Sequence, residues 1–111
     1  MKVIICGTRE VAPHRAHIEA AVHLSGFTIT EVVSGGATGV DSEALRWAEM
    51  MGIDRVTFHY NGKRAKAGGP LRNERMAKYA EACIALPGGR GTADMVTRAK
   101  AHGLRLYEVK P

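Results

Sequence analysis

Two periodicities of apolar residues alternate along this chain. Short runs rich in β-branched or other apolar residues are typical of buried strands, and longer segments with apolar residues three or four positions apart are typical of helices. Residues 61–69 are predicted to form a loop, with Pro70 in the first turn of the helix that follows. The predicted strands are residues 2–6, 28–33, 54–60, 82–86 and 105–109, and the predicted helices are residues 12–25, 40–51, 70–81 and 93–102.

This alternation predicts an α/β fold, a three-layer Rossmann-like parallel sheet of about five strands with helices on both faces. We expect the strand order 3-2-1-4-5, with the first strand at the centre. Ligands of such sheets bind beyond the carboxyl ends of the strands, where the strand order reverses. The length of 111 residues predicts a single domain, residues 1–111.

Two glycine-rich turns each follow a predicted strand and precede a predicted helix. Glycines let backbone N–H groups approach a ligand, and a helix N-terminus adds partial positive charge, so both turns predict phosphate binding. Their threonines either cap the next helix or contact the phosphate. The candidate binding residues are Ser34, Gly35, Gly36, Thr38 and Gly39 in the first of these turns and Gly88, Gly89, Arg90, Gly91 and Thr92 in the second.

The turn after the first strand is a further candidate. Gly7, Thr8 and Arg9 form either an ordinary turn or a third wall of the pocket, with a hydroxyl donor and a charge clamp. Asp41 falls in the first turn of the second helix. It either complements the helix dipole or accepts hydrogen bonds from ribose hydroxyls.

Arg72 is placed by helical spacing. It precedes Met76 by four residues, so it shares the sheet-facing direction of that side chain near the helix N-terminus. An arginine there can reach the crevice and form a bidentate pair with phosphate or carboxylate. In the last helix, Asp94 and Arg98 are spaced for a local ion pair.

The net charge of +5 favours an anionic partner. Part of the excess lies in residues 63–66 (Lys-Arg-Ala-Lys), either a solvated loop or a basic flap that contacts phosphate. Aromatic residues make up only 5% of the chain, which argues against base-stacking platforms. Nucleic acid is therefore an alternative partner that the composition does not favour.

Other classes of site find little support. Cys6 and Cys83 fall in predicted strands, so we expect buried free thiols, which suit a reducing cytoplasm. The chain has no CxxC pair, and His14 and His17 lack partners at metal-ligand spacing, so no metal or cofactor is predicted. No apolar run approaches the roughly 18 residues of a membrane span, so no membrane contact is predicted.

Four motifs, taken together and in order, resemble the SLOG superfamily, which includes the Lonely Guy proteins and DNA-processing protein A. The chain is most similar to its small single-domain bacterial and phage branch, the DUF2493 or YspA-like proteins. The resemblance implies binding of a nucleotide or nucleotide-derived ligand, such as an ADP-ribose-like signal, and by analogy a sensor in prokaryotic or phage conflict. The motifs are residues 7–9 (Gly-Thr-Arg), 34–41 (Ser-Gly-Gly-Ala-Thr-Gly-Val-Asp), 69–76 (Gly-Pro-Leu-Arg-Asn-Glu-Arg-Met) and 87–95 (Pro-Gly-Gly-Arg-Gly-Thr-Ala-Asp-Met).

The resemblance also bears on catalysis. Lonely Guy enzymes use a Pro-Gly-Gly-x-Gly-Thr-x-x-Glu motif and an upstream arginine to cleave the N-glycosidic bond of a nucleoside monophosphate. The arginine position falls on Arg72, but the glutamate position falls on Met95, whose thioether cannot transfer a proton. Arg72 and Asp94 are the catalytic candidates if the chain is an enzyme, and a binder is favoured over a phosphoribohydrolase.

Relatives of this kind are often homo-oligomers, so a homodimer or higher homo-oligomer is expected. The predicted apolar stripe of the second helix comprises Ala44, Leu45, Ala48 and Met51. Trp47 and Met50 lie off this stripe, so they serve either ordinary packing or a subunit contact, and we favour the contact. Single-stranded nucleic-acid binding is a third alternative, implied by the resemblance to DNA-processing protein A.

Overall fold

Among the described residues, five parallel strands form one sheet in the order β3-β2-β1-β4-β5. The computed structural model describes residues 1–59 and 65–110, with residues 65–68 described by their backbone alone. The predicted α/β class and strand order are confirmed. The strands are β1 (Lys2–Cys6), β2 (Glu31–Ser34), β3 (Asp54–Thr57), β4 (Ala82–Ala85) and β5 (Arg105–Glu108), and the helices are α1 (Arg15–Ser25), α2 (Val40–Met50), α3 (Ala65–Tyr79) and α4 (Arg90–Ala101).

The strand order reverses beside β1, the central strand. Ile4 pairs with Val33 of β2 on one side and with Cys83 of β4 on the other. After β1 the chain continues to β2 on one side of the central strand, and after β4 it continues to β5 on the other side. The loops after these two strands therefore separate and leave a crevice at the carboxyl edge.

Each face of the sheet carries its own apolar core. Val3 and Ile5 pack with α1 and α2, whereas Ile4 and Cys6 pack with α3 and α4. Side chains alternate between the two faces of a strand, so β1 contributes to both cores. Helices cover both faces, which explains why the central strands are apolar at nearly every position.

The predicted apolar stripe of α2 is wrong at two positions. Trp47 is only 4% exposed and packs in the core, while Met51 is 59% exposed. The buried face of the helix comprises Val40, Asp41, Ala44, Trp47 and Ala48, which recur at helical spacing. Trp47 is therefore a core residue, and the interpretation of its side chain as a subunit contact is wrong.

Helix α3 begins before Pro70. We predicted a loop over residues 61–69, but residues 65–69 are helical and Pro70 lies inside the helix. Proline has no N–H donor and its ring crowds the carbonyl four residues earlier, so the turn of helix before Pro70 forms at the cost of one hydrogen bond and this crowding. Residues 63 and 64 of the predicted basic flap lie outside the described residues, and the other boundaries differ from prediction by up to three residues.

Both cysteines are buried free thiols, as predicted. A hydrogen bond with Cys83, together with burial, raises the pKa of Cys6 well above its usual value. The cytoplasmic location inferred from these thiols stays a prediction. Within the part of the chain that the structure describes, no helix is long and apolar enough to cross a membrane.

Candidate functional site

A cleft of about 550 Å³ opens at the carboxyl edge of the sheet, where the strand order reverses. The loops after β1, β2 and β4 form its walls, and the first turns of α4 and the middle of α3 complete it. The structure thus brings together residues that are far apart in sequence. Of the predicted residues, Gly7, Thr8, Arg9, Gly35, Asp41, Arg72, Gly89, Arg90, Gly91 and Thr92 line the cleft.

A second compartment of about 380 Å³ adjoins the cleft along the β2–α2 turn. Gly36 and Thr38 line it, and Arg9 and Arg72 border both spaces. His59, just after β3, also lines this compartment and was missed from the sequence. It was missed because the carboxyl end of β3 carries no glycine-rich motif.

Four predicted residues lie outside both linings in the described structure: Ser34, Gly39, Gly88 and Asp94. Ser34 is fully buried, and its hydroxyl donates to the Asp41 carbonyl. Gly88 packs between the first loop and the Thr92 side chain. These residues shape the turns and do not form the wall of the cleft.

Gly39 lets the first and second loops touch. It has φ 78°, and a Cβ there would lie 2.7 Å from the Arg9 carbonyl carbon. The Val40 N–H donates to the Thr8 carbonyl (3.0 Å), and the Thr38 hydroxyl donates to the Arg9 carbonyl (2.9 Å). Gly39, not Thr38, is the N-cap of α2, and no side-chain cap is found there among the described residues.

The N-terminus of α4 opens into the cleft. Its N-cap is Gly89, so Thr92 lies in the first turn and the capping alternative for Thr92 is wrong. The first four residues, 90–93, include no acidic side chain. A Cβ at Gly89 or Gly91 would meet nothing within 4 Å in the described structure. The positive end of this helix therefore faces open space.

Arg72 reaches the cleft as its helical position predicts. It is 8% exposed, its Nη1 donates to the Gly35 carbonyl (3.1 Å), and its Nη2 donates to Asn73 Oδ1 (3.3 Å). The guanidinium lies so close to Gly35 that a Cβ there would be 2.6 Å from its Cζ atom. The backbone of the β2–α2 turn thus holds the Arg72 side chain in place.

Asn73 is a site residue that the sequence reasoning missed. It is 3% exposed and lines the cleft. Its Nδ2 donates to the Gly91 carbonyl (3.2 Å) and to Asp94 Oδ2 (2.9 Å). Asn73 therefore connects Arg72 to the first turn of α4. The available signal was a polar residue three positions before buried Met76, on the apolar face of the helix.

Asp94 belongs to a network between α3 and α4. Arg98 donates to Asp94 (2.9 Å) and to Glu74 (3.1 Å), which confirms the predicted Asp94–Arg98 pair. Burial alone would raise the pKa of Asp94, but hydrogen bonds from Arg98 and Asn73 hold it below its usual value. Asp94 therefore stays ionised and engaged beside the cleft.

Among the described lining residues, Asp41 is the acidic one and Arg9, Arg72 and Arg90 are the basic ones. Burial raises the pKa of Asp41, and the Ala37 N–H and the charges of Arg72 and Arg9 partly offset that rise. The cleft thus carries a net positive charge around one buried carboxylate. Its floor contains Cys6, Met76 and Met95, none of which was predicted as a lining residue.

The fold of this chain is similar to that of a solved structure. The chain matches the X-ray structure of DNA processing protein A from Streptococcus pneumoniae with a TM-score of 0.78 and 20% identity. The match covers 99% of this chain and 50% of the other, so the chain spans about half the length of that protein. At this identity the likeness shows a shared Rossmann-like fold and nothing more.

Sequence similarity identifies the family within that fold. The model of the YspA, cpYpsA-related SLOG family matches residues 1–64. The Gene 61 protein of Mycobacterium phage D29 is 34% identical over 119 aligned positions, which cover 93% of this chain and 91% of that protein. The chain belongs to the YspA, cpYpsA-related SLOG family.

Proposed function

We propose that residues 1–111 form one domain that binds a nucleotide or nucleotide-derived ligand in the cleft. The observation that carries the proposal is the N-terminus of α4, which has no side-chain cap among the described residues and opens into the cleft beside Arg72 and Arg90. Backbone N–H groups and the helix dipole at such a position favour a phosphate. Membership of the SLOG family supports the same ligand class.

The arginine side chains around the N-terminus of α4 are of two kinds, one held in place by the protein and the others exposed. Arg72 is held by Gly35 and Asn73, so it presents its guanidinium with little loss of side-chain freedom. Arg9 and Arg90 are exposed and can close over a bound anion. Open space beside Gly89 and Gly91 leaves room for the phosphate against the backbone.

Binding fits the site better than N-glycosidic cleavage. Met95 is 1% exposed in the core, and its thioether carries no proton to transfer. Asp94, the remaining acid, accepts hydrogen bonds from Asn73 and Arg98 and has a lowered pKa, so it is a poor general acid. Release of free base from AMP or CMP would contradict this assignment.

The proposal for the wider role is supported by one relative. A phage protein is among the similar sequences, so we propose a sensor in conflict between prokaryotes and phages. Single-stranded nucleic acid is the alternative ligand, supported by the net charge of +5. Identification of the small molecule that co-purifies with the protein, by mass spectrometry, would name the ligand directly.

Calorimetry and thermal-shift measurements with AMP, CMP, NAD, ADP-ribose and inorganic phosphate test the proposal. Arg9→Ala and Arg90→Ala are each expected to weaken binding by about tenfold, the scale of one charge-assisted hydrogen bond. Arg105→Ala is the matched control, because Arg105 is exposed at the start of β5, on the opposite edge of the sheet. Absence of binding at millimolar ligand, or equal losses in all three variants, would refute the proposal.

A further inference from the structure

The anion-binding position of the β2–α2 turn is already occupied by the chain itself. The Ala37 N–H donates to Asp41 Oδ2 (3.2 Å), and the Gly36 N–H donates to Ser34 Oγ (3.1 Å). Successive backbone N–H groups in such a turn form a concavity that takes an anion. Here the Asp41 carboxylate takes the place that a ligand phosphate would need.

The helix dipole does not account for the placement of Asp41. Glu43 lies in the same first turn of α2 and can complement the dipole on its own. Glu43 pairs with Arg15 (2.9 Å) and Arg46 (3.5 Å), and it lies outside the cleft lining of the described structure. Asp41 is instead 8% exposed and lines the cleft.

A buried carboxylate such as that of Asp41 favours some ligand groups over others. An ionised carboxylate is an acceptor alone, so it attracts hydrogen-bond donors and repels a phosphate. Desolvation by burial disfavours the charged form, and donors from a ligand would restore the lost hydrogen bonds. The Asp41 side of the cleft therefore differs in chemistry from the α4 side.

We propose that Asp41 is the specificity-determining residue of the cleft and selects ligands with hydrogen-bond donors, a sugar diol or a base amino group, beside one phosphate. The inference rests on the proposed function, since the phosphate is placed at the N-terminus of α4. This selectivity of Asp41 narrows the ligand class to nucleoside monophosphates and sugar phosphates. A second phosphate at the β2–α2 turn is disfavoured.

The test is calorimetry on wild type, Asp41→Asn and Glu43→Gln. Asparagine keeps an oxygen for the Ala37 N–H, and Glu43→Gln removes the same charge from the same helix turn outside the cleft. The probes are AMP, its 2′-deoxy and 3′-deoxy analogues, IMP, ribose 5-phosphate and inorganic phosphate. Circular dichroism and melting curves check that each variant is folded.

Asp41→Asn is expected to weaken AMP binding by about tenfold or more and to leave inorganic phosphate binding unchanged or tighter. Glu43→Gln is expected to change neither. If the sugar supplies the donor, wild type loses affinity for the deoxy analogues. If the base amino group supplies it, wild type loses affinity for IMP instead. If Asp41→Asn is poorly folded, the affinities of wild type for AMP, its deoxy analogues and IMP still test whether the cleft selects for a hydrogen-bond donor.

Two results would overturn the inference in different ways. The selectivity is refuted if Asp41→Asn loses affinity for AMP and for phosphate equally, or if wild type binds all the analogues with equal affinity. Either result leaves the proposed function intact. Failure of wild type to bind any nucleotide, sugar phosphate or phosphate refutes both.

Discussion

Ser34 and Asn73 are polar residues that the fold buries, with exposed fractions of 0% and 3%. Their hydrogen bonds are made to the chain itself, in the β2–α2 turn and at the start of α4. Arg9 and Arg90 are exposed at the same cleft. Single residues at this site thus divide into those that hold the loops and those that can meet a ligand.

Gly91→Ala separates these two roles. The added methyl group meets nothing within 4 Å of the described structure, and glycine inside a helix costs about 0.5–1 kcal/mol relative to alanine. The free protein should therefore become more stable in chemical denaturation. Ligand affinity should fall, because the methyl group occupies the space assigned to phosphate. Unchanged affinity would place the phosphate elsewhere.

Gly39→Ala is expected to act in the opposite way. Its φ of 78° strains any side chain, and the new Cβ would lie 2.8 Å from the Glu10 carbonyl oxygen. Such strain costs about 1–3 kcal/mol. Urea denaturation, with Gly91→Ala as the comparison, measures the loss. A neutral effect would show that the first and second loops do not need this close contact.

At the scale of elements, α3 and α4 are joined by side chains beside the cleft. Arg98 bridges Glu74 and Asp94, and the His102 ring is 2.8 Å from Glu74. Asn73 adds the link from α3 to the Gly91 carbonyl. The two helices therefore hold Arg72 and the N-terminus of α4 in a fixed relation before a ligand arrives.

The same network predicts acid sensitivity. Hydrogen bonds with His102 and Arg98 lower the pKa of Glu74, and those from Arg98 and Asn73 lower that of Asp94 against the effect of burial. A carboxyl with a lower pKa in the folded chain adds stability above its unfolded pKa, about 4, and this stability is lost as the pH falls through the folded pKa.

Melting temperatures measured from neutral pH down to about pH 3 test this expectation. Glu74→Gln should flatten the acid limb of the curve, because one titrating contribution is gone. Glu19→Gln is the control, since Glu19 is exposed on α1. Identical acid limbs in wild type and Glu74→Gln would contradict the stabilising role of the network.

At the scale of the whole molecule, the net charge of +5 raises the question of nucleic acid. A single-stranded oligonucleotide that contacts Z phosphates releases counterions and shows a slope of about −0.7Z in log affinity against log salt. A mononucleotide lacks that counterion atmosphere. We expect AMP to bind with a slope shallower than about −1. If an oligonucleotide binds more tightly than AMP, with a slope of about −3 or steeper, single-stranded nucleic acid and not a nucleotide is the ligand.

The homo-oligomer stays a prediction at this scale. Trp47 is a core residue, but Met50 is 72% exposed and Met51 is 59% exposed at the end of α2. Exposed apolar side chains of this kind are compatible with an association surface. Light scattering should give the mass of a dimer, and a monomer mass at all concentrations would show the prediction to be wrong.

The sequence sufficed for the order of the elements and for the edge of the sheet where the cleft forms. Periodicity distinguishes strands from helices, and parallel alternation restricts the topology. Arg72 could be placed because helical spacing relates it to Met76. Asn73 carries a similar signal, three positions before Met76, but its contacts with Gly91 and Asp94 could not be predicted, because they join segments that are distant in the chain. His59 could not be placed, because no motif marks the carboxyl end of β3.

By itself, the sequence determined the α/β alternation, the glycine-rich loops and the presence of an arginine near the start of the third helix, all of which are local properties of the chain. Only the tertiary structure decided which backbone N–H groups are still available. In the β2–α2 turn, Asp41 and Ser34 accept from Ala37 and Gly36, whereas the N-terminus of α4 faces open space. The physical reason is that a hydrogen-bond partner depends on distance in space, which a local sequence pattern does not specify.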